Sequence, residues 1–260
     1  MKGNKKISSS FLWLVSLGFL LCLVAFTEYR NLSKYCIDLI ISIEQGEKAK
    51  GIHENNFFID KENVEDIITY KGRESIEGKK LIHINVSDVE NRVKMDKFVK
   101  DVEVSKTLKG ELEVKVTQRR PIARFIRSDS AFYISDQGVF LPMSNRYTAR
   151  VILISEQGKS PYFLSNELND ESDSLFYELL TQIDEDDFFN KIVSEIIIKE
   201  DGELWFRPQV SRQMIIWGLP IDTKSKYKRL KKLYKDILPS KGWNKYQLVN
   251  LSFKDQIICE

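Results

Sequence analysis

VKVTQRRPIARF, residues 114–125, alternates apolar and polar side chains, runs into two arginines and a proline, and restarts at once as a second apolar stretch. Alternation at period two marks a half-buried strand. Pro121 carries no N–H and cannot continue a central ladder, so it ends one sheet and hands the chain to the next folded unit. Arg119 and Arg120 flank that joint. There they either hold an anion or lie solvated or salt-bridged.

Upstream of the joint the pattern is that of a small α+β unit. Ile37 to Ile43 is rich in branched apolar residues and suits a strand. Asp60 can cap a helix whose apolar face is Val64, Ile67 and Ile68. Ser87-Asp88-Val89-Glu90 has the form of a capping box, opening a helix that buries Val89 and Val93. Val102 and Val104, then Leu112, Val114 and Val116, alternate with charged residues across a turn at Gly110, which predicts two paired strands. The order is strand, helix, helix, strand, strand.

At the N-terminus, Lys2, Lys5 and Lys6 precede an uncharged run from Phe11 to Phe26. With its flanks the run approaches the ~20 residues of a bilayer-spanning helix. A cleaved signal peptide is the rival reading, but Val24-Ala25-Phe26-Thr27 fits its small-residue cleavage pattern poorly. The lysines place the N-terminus in the cytoplasm and everything beyond residue 28 outside. The expected layout is a cytoplasmic tail over 1–10, a transmembrane helix over 11–27, a stalk over 28–35, and two folded domains over 36–120 and 121–260.

Composition excludes more than it assigns. The chain of 260 residues is 42% hydrophobic and 30% charged, as folded proteins are. Its 40 basic and 38 acidic residues leave a net charge of +2, a poor match for a nucleic-acid binder. Cys22 falls in the apolar run, leaving Cys36 and Cys259 as one possible bridge, which is no disulfide framework. The two histidines, His53 and His83, belong to no metal or nucleophile motif, and no phosphate-binding glycine loop occurs. No cofactor, metal or catalytic residue is expected.

Downstream of Pro121, Ile122 to Ile126 and Ala131 to Ile134 flank the turn Arg127-Ser128-Asp129-Ser130, and Val151 to Ile154 reads as a strand. A helix from about Asp173 to Ile183 is expected to bury Leu175, Leu179 and Leu180. Ile196 to Ile198, Leu204 to Arg207 and Met214 to Trp217 supply further strands. After Gly218 comes a long helix with Tyr227, Leu230, Tyr234, Ile237 and Leu238 on one face, then a late strand over Tyr246 to Cys259.

An apolar anchor followed by a β-α-α-β-β unit resembles the bacterial cell-division family FtsQ/DivIB, whose first extracytoplasmic domain is a POTRA domain. Gln118-Arg119-Arg120-Pro121-Ile122-Ala123 stands where that family has a segment of the type Glu-Arg-x-Pro-Val-Ala. Tyr133-Ile134-Ser135-Asp136-Gln137-Gly138 is similar to its Tyr-x-Asp-x-x-Gly turn, with Ser135 at the acid's position. Tyr246 onward is similar to its closing Tyr-x-x-Ile-Asp-Leu-Arg-Tyr segment, with Asn250 replacing the acid and Ser252 the arginine. The resemblance implies an α+β architecture: one transmembrane helix, a POTRA domain, and a β-rich domain covered by its C-terminal helix. It also implies a non-catalytic inner-membrane scaffold at the division septum, with periplasmic domains. Its partners would be FtsB- and FtsL-type proteins, and also FtsK-, FtsW- and FtsI-type proteins.

Two features lie outside this frame. Asp184-Glu185-Asp186-Asp187 could hold a divalent ion in a membrane-anchored glycosyltransferase, or could be a polar linker leading into a helix. Lys224, Lys226, Lys228, Arg229, Lys231, Lys232 and Lys235 form either a polyanion-binding face or a solvated one. A POTRA-bearing factor of secretion or outer-membrane assembly is a further alternative.

The working surface is expected along Tyr246-Gln247-Leu248-Val249-Asn250-Leu251-Ser252-Phe253, taken as the last strand of its sheet. An edge strand offers unpaired N–H and C=O groups to a partner's extended segment. The resemblance implies the FtsB-type contact there, with Tyr246, Leu248, Asn250, Leu251 and Phe253 as candidate contacts. Phe253 occupies the position of an aromatic anchor.

Overall fold

The computed structural model describes residues 9–32, 34–45, 58–164, 168 and 170–260. They form two compact units. Of the described residues, one unit holds those up to 44 together with 59–118, and the other holds 45, 58 and those from 119 to 260.

Helix α1 (Ser9–Leu32) runs through the apolar segment and continues into the stretch expected as a stalk. The side chains described in it, from Trp13 to Phe26, are all exposed. Among the described residues no helix is long and apolar enough to cross a membrane. Trp13 to Phe26 alone falls short of the ~20 residues a span requires.

The first unit is α+β. Strand β1 (Asp38–Gln45) is followed by helices α2 (Lys61–Ile68) and α3 (Val86–Lys94), then strands β2 (Val99–Lys106) and β3 (Glu111–Gln118). The sheet order is β1-β3-β2, and β2 pairs antiparallel with β3, setting Val102 opposite Val116 and Val104 opposite Val114. The alternation of β3 puts Leu112, Val114 and Val116 into a core with Val64, Ile68, Val89 and Val93. Asp60 caps α2 by accepting from the Asn63 amide at 2.9 Å. The box expected at Ser87 does not form. Helix α3 starts two residues earlier, with Asn85 rather than Ser87 at its cap, so Ser87 already lies in the first turn. Glu90, released from capping, accepts instead from the Val104 amide at 3.1 Å.

The second unit is built on a nine-stranded mixed sheet, ordered β12-β11-β10-β9-β8-β7-β4-β5-β6. Its strands are β4 (Pro121–Ile126), β5 (Ala131–Ser135), β6 (Phe140–Pro142), β7 (Ile152–Glu156), β8 (Val193–Ile198), β9 (Leu204–Pro208), β10 (Met214–Gly218), β11 (Leu248–Asn250) and β12 (Ile258–Cys259). Helices α4 (Glu171–Glu185) and α5 (Asp187–Ile192) stand between β7 and β8; α6 (Thr223–Lys232) and α7 (Leu238–Lys241) stand between β10 and β11. A single core runs from Phe125 and Ile154 through Phe176, Phe189, Phe206 and Trp217 to Leu251.

Three helix expectations need correction. Helix α4 is rotated so that Phe176, rather than Leu175, is buried with Leu179, Leu180 and Ile183, the complete i, i+3, i+4, i+7 stripe. The long C-terminal helix is interrupted by a π-helical turn over Leu233–Ile237, which sends Leu233 as well as Tyr234 inward. Lys226, counted on the basic face, is only 4% exposed. Its ammonium group donates to the Leu219 carbonyl at 2.8 Å and lies 5.8 Å from the Trp217 ring. Burial pushes its pKa down.

Candidate functional site

Side-chain partners engage each polar residue of the Gln-Arg-Arg-Pro joint, although Arg119 Nε, Arg120 Nε and Asp136 Oδ1 are buried without a hydrogen bond. Gln118, buried at the end of β3, accepts from the Ile59 amide at 3.4 Å. Arg119 donates to the Gln137 side chain at 2.6 Å. Arg120 donates through two nitrogens to both oxygens of Asp184, at 2.8 and 2.5 Å, and lies 3.7 Å from Asp136. Pro121 is the first residue of β4, where its missing N–H costs the ladder nothing. Ser135, at the resemblance's acid position, accepts from the Val139 amide at 3.0 Å and so shapes the turn itself.

The acidic run is engaged in the same way. Asp184 answers Arg120, and Asp186 caps α5 by accepting from the amides of Phe188 and Phe189 at 3.0 and 2.8 Å. These carboxylates serve an ion pair within the second unit and a helix start, so the glycosyltransferase reading is not favoured. Among the described residues no cluster of His, Cys, Asp and Glu could hold a metal ion. His83 ends a short 3-10 turn, and His53 lies outside the described residues. Cys22, Cys36 and Cys259 are free thiols.

The C-terminal strand differs from expectation in a way that matters for binding. It is two short strands rather than one. β11 pairs parallel with β10, and the chain then reverses so that β12 pairs antiparallel with β11 and takes the edge. Tyr246–Phe253 is therefore not the outer strand. The reversal is built from local chemistry. The Asn250 side chain accepts from the Ser252 amide at 2.9 Å and from its hydroxyl at 2.7 Å, an Asx-turn. Arg229 on α6 then donates to the carbonyls of Phe253 at 2.6 Å and Leu251 at 3.2 Å, and to that of Gln256. Gly218 sits beneath the turn with φ +73°, and a Cβ there would fall 2.9 Å from Ser252 Cβ, so only glycine fits.

The outward chemistry of β12 follows from its ladder. Glu260 and Leu248 exchange both backbone hydrogen bonds, at 2.9 and 3.0 Å. Cys259, opposite Val249, is then the alternate, non-hydrogen-bonded pair, and its N–H and C=O point away from β11. The predicted contacts divide accordingly. Phe253, in the reversal leading to β12, is 51% exposed, whereas Leu251 is fully buried in the core. Tyr246, Leu248 and Asn250 are half-buried, with Tyr246 packed against the core. Sequence reasoning missed Arg229 and Cys259. Arg229 is one cation in a lysine-rich run, and Ile258–Cys259 is too short to show alternation.

Comparison with known proteins matches the two units separately. A family model described as FtsQ/DivIB, C-terminal related, matches residues 120–260. A model described as POTRA-like domain matches residues 35–117. The chain is also similar to the "Cell division protein FtsQ" of Rickettsia felis, at 25% identity over 126 residues, which is 48% of this chain and 46% of that protein. The match thus spans about half the length of the curated relative.

Proposed function

The chain belongs to the FtsQ/DivIB family, and from that premise we infer a non-catalytic, single-span membrane scaffold that recruits and regulates septal division proteins. The observation that carries this reading is the outward-facing backbone edge of β12 at Cys259, in a chain reversal that also carries the exposed ring of Phe253. Such an edge pairs with an extended segment by strand addition, the backbone supplying affinity and a flanking aromatic supplying selectivity. The partner at this edge is an FtsB-type protein, in complex with an FtsL-type protein. FtsK-, FtsW- and FtsI-type proteins are further partners in this reading.

The anchor is the apolar segment 11–27 within α1, with residues 1–10 cytoplasmic and the domains at 36–120 and 121–260 outside the inner membrane. Lys2, Lys5 and Lys6 support that orientation. The exposure of every side chain from Trp13 to Phe26 supports a lipid surrounding, since water disfavours a helix apolar on all sides.

Cys259→Pro tests the edge directly. Proline is tolerated on an edge strand where the N–H faces outward, so the substitution removes one donor and spares the ladder to β11. Binding of the extracytoplasmic segment of the host's FtsB-type protein should weaken about tenfold, equivalent to about 1.4 kcal/mol, with thermal melting unchanged. Binding at full strength in this variant would overturn the reading.

A further inference from the structure

A second surface of the large unit has the form of a docking groove and shares no residue with the β12 edge. A cavity of about 510 Å³ lies between α5, the loop joining β9 to β10, and the segment after α7, lined by Phe188, Lys191, Ile192, Val210, Tyr234 and Trp243. Its floor is aromatic, with Tyr234 6.4 Å from Phe188 and 6.1 Å from Trp243, centroid to centroid. Val210 and Trp243 are 57% and 44% exposed. A monomer gains nothing from holding a tryptophan and a valine out in water around a cavity.

The walls are tied together. The Tyr234 hydroxyl accepts from Gln213 Nε2 at 3.3 Å and lies 3.1 Å from Ser211 Oγ, and the Gln209 amide donates to the Ile192 carbonyl at 2.7 Å. Loop, α5 and the π-helical turn thus hold a preformed shape, which lowers the ordering cost of binding.

Charge selects the occupant. The ammonium groups of Lys231 and Lys235 each lie 5.6 Å from the centre of the Phe188 ring, and Lys191 lines the cavity. Arg212 stands two residues beyond Val210, and Lys241 and Lys245 stand two residues either side of Trp243. The acids on these elements are Asp186, Asp187 and Asp236. Asp186 is committed to capping α5 and faces Lys231, and Asp187 is fully exposed at 3.9 Å from Lys191. That leaves Lys191, Lys235, Arg212, Lys241 and Lys245 in excess. An apolar cavity inside a basic rim fits an apolar anchor inside an acidic segment. We propose that this groove docks an acidic peptide segment of a partner protein through one aromatic side chain seated against Tyr234 and Trp243.

The probe is a phage-displayed library of short random peptides, selected on the full chain in detergent. Selected peptides are then measured by fluorescence anisotropy, beside vesicles of phosphatidylglycerol. The expected winners are net acidic around a single aromatic and bind less tightly as salt rises. Val210→Asp and Trp243→Ala should each weaken them about tenfold, as loss of a seated anchor does. Lys191→Glu combined with Lys235→Glu should do the same, while Cys259→Pro leaves their affinity unchanged. Val210→Asp, at a largely exposed position, keeps the test valid if Trp243→Ala fails to fold. Winners without acidic residues, affinity indifferent to all three changes, or binding to the vesicles but to no peptide would overturn the proposal.

Discussion

Arg120 and Asp184, 64 residues apart, meet through two parallel hydrogen bonds with side chains only 12% and 13% exposed. The pair joins two features that stood apart in the sequence: the arginines at the Pro121 joint and the acidic run between two helices. It fastens the start of β4 to the C-terminal end of α4, and its bidentate geometry makes it stronger than a surface ion pair.

Removing one member leaves the other charge nearly buried. Asp184→Ala leaves Arg120 with only its longer contact to Asp136 and is expected to cost about 3 kcal/mol, the low end for breaking a nearly buried pair, and Arg120→Met combined with Asp184→Leu less. Urea denaturation of the single and double variants measures the difference. Equal losses in both would mean that the pair contributes through its hydrogen bonds alone.

Asp186 gives the stability an acid limit. Burial pushes its pKa up, but hydrogen bonds from the Tyr227 hydroxyl and the Phe189 and Phe188 amides, with Lys231 nearby, hold it below its ordinary 3.8. A carboxyl depressed in the folded state contributes its stability above the unfolded pKa and loses it as pH falls through the folded one. Stability should therefore decline below about pH 4, and Asp186→Asn, which keeps an acceptor but cannot titrate, should flatten part of that decline. Denaturation midpoints at neutral and acidic pH test this.

Arg229 holds the reversal between β11 and β12 through three carbonyls. Arg229→Ala should accelerate hydrogen exchange at the backbone amides of residues 251–259 while those of β8 and β9 keep their protection. Arg229→Lys should rescue little, because one ammonium cannot reproduce the planar fork. Unchanged exchange across 251–259 would show that the Asx-turn at Asn250 suffices.

Phe253 and Leu251 should separate binding from folding. Phe253→Ala removes a half-exposed ring and should leave the melting temperature unchanged while weakening the FtsB-type interaction about tenfold. Leu251→Ala opens the core and should cost about 3 kcal/mol whatever the partner does. Calorimetry of binding and thermal melting on both variants distinguish the two roles.

Much of this architecture was legible from local pattern. Period-two alternation located β2 and β3, and Asp60 marked the start of α2, because strand faces and helix caps depend on residues within a few positions of each other. Fine position was less legible. Leu175 and Phe176 are neighbours, and which one turns inward depends on the rotation of α4 against its sheet, beyond what the local pattern specifies. Lys226 reads as one more surface cation, yet its packing beneath Leu219 and over Trp217 depends on where β10 ends.

By itself the sequence determined the apolar N-terminal helix, the longer strands and helices of both units and the place of Pro121 at a strand start, since each follows from hydrophobic period or from proline's missing donor. Only the tertiary structure decided which strand lies outermost. β12 is two residues long, and no period can be read from two residues. Its place at the edge comes from a chain reversal held by Asn250, Ser252 and the distant Arg229, and long-range closure of that kind leaves no local pattern.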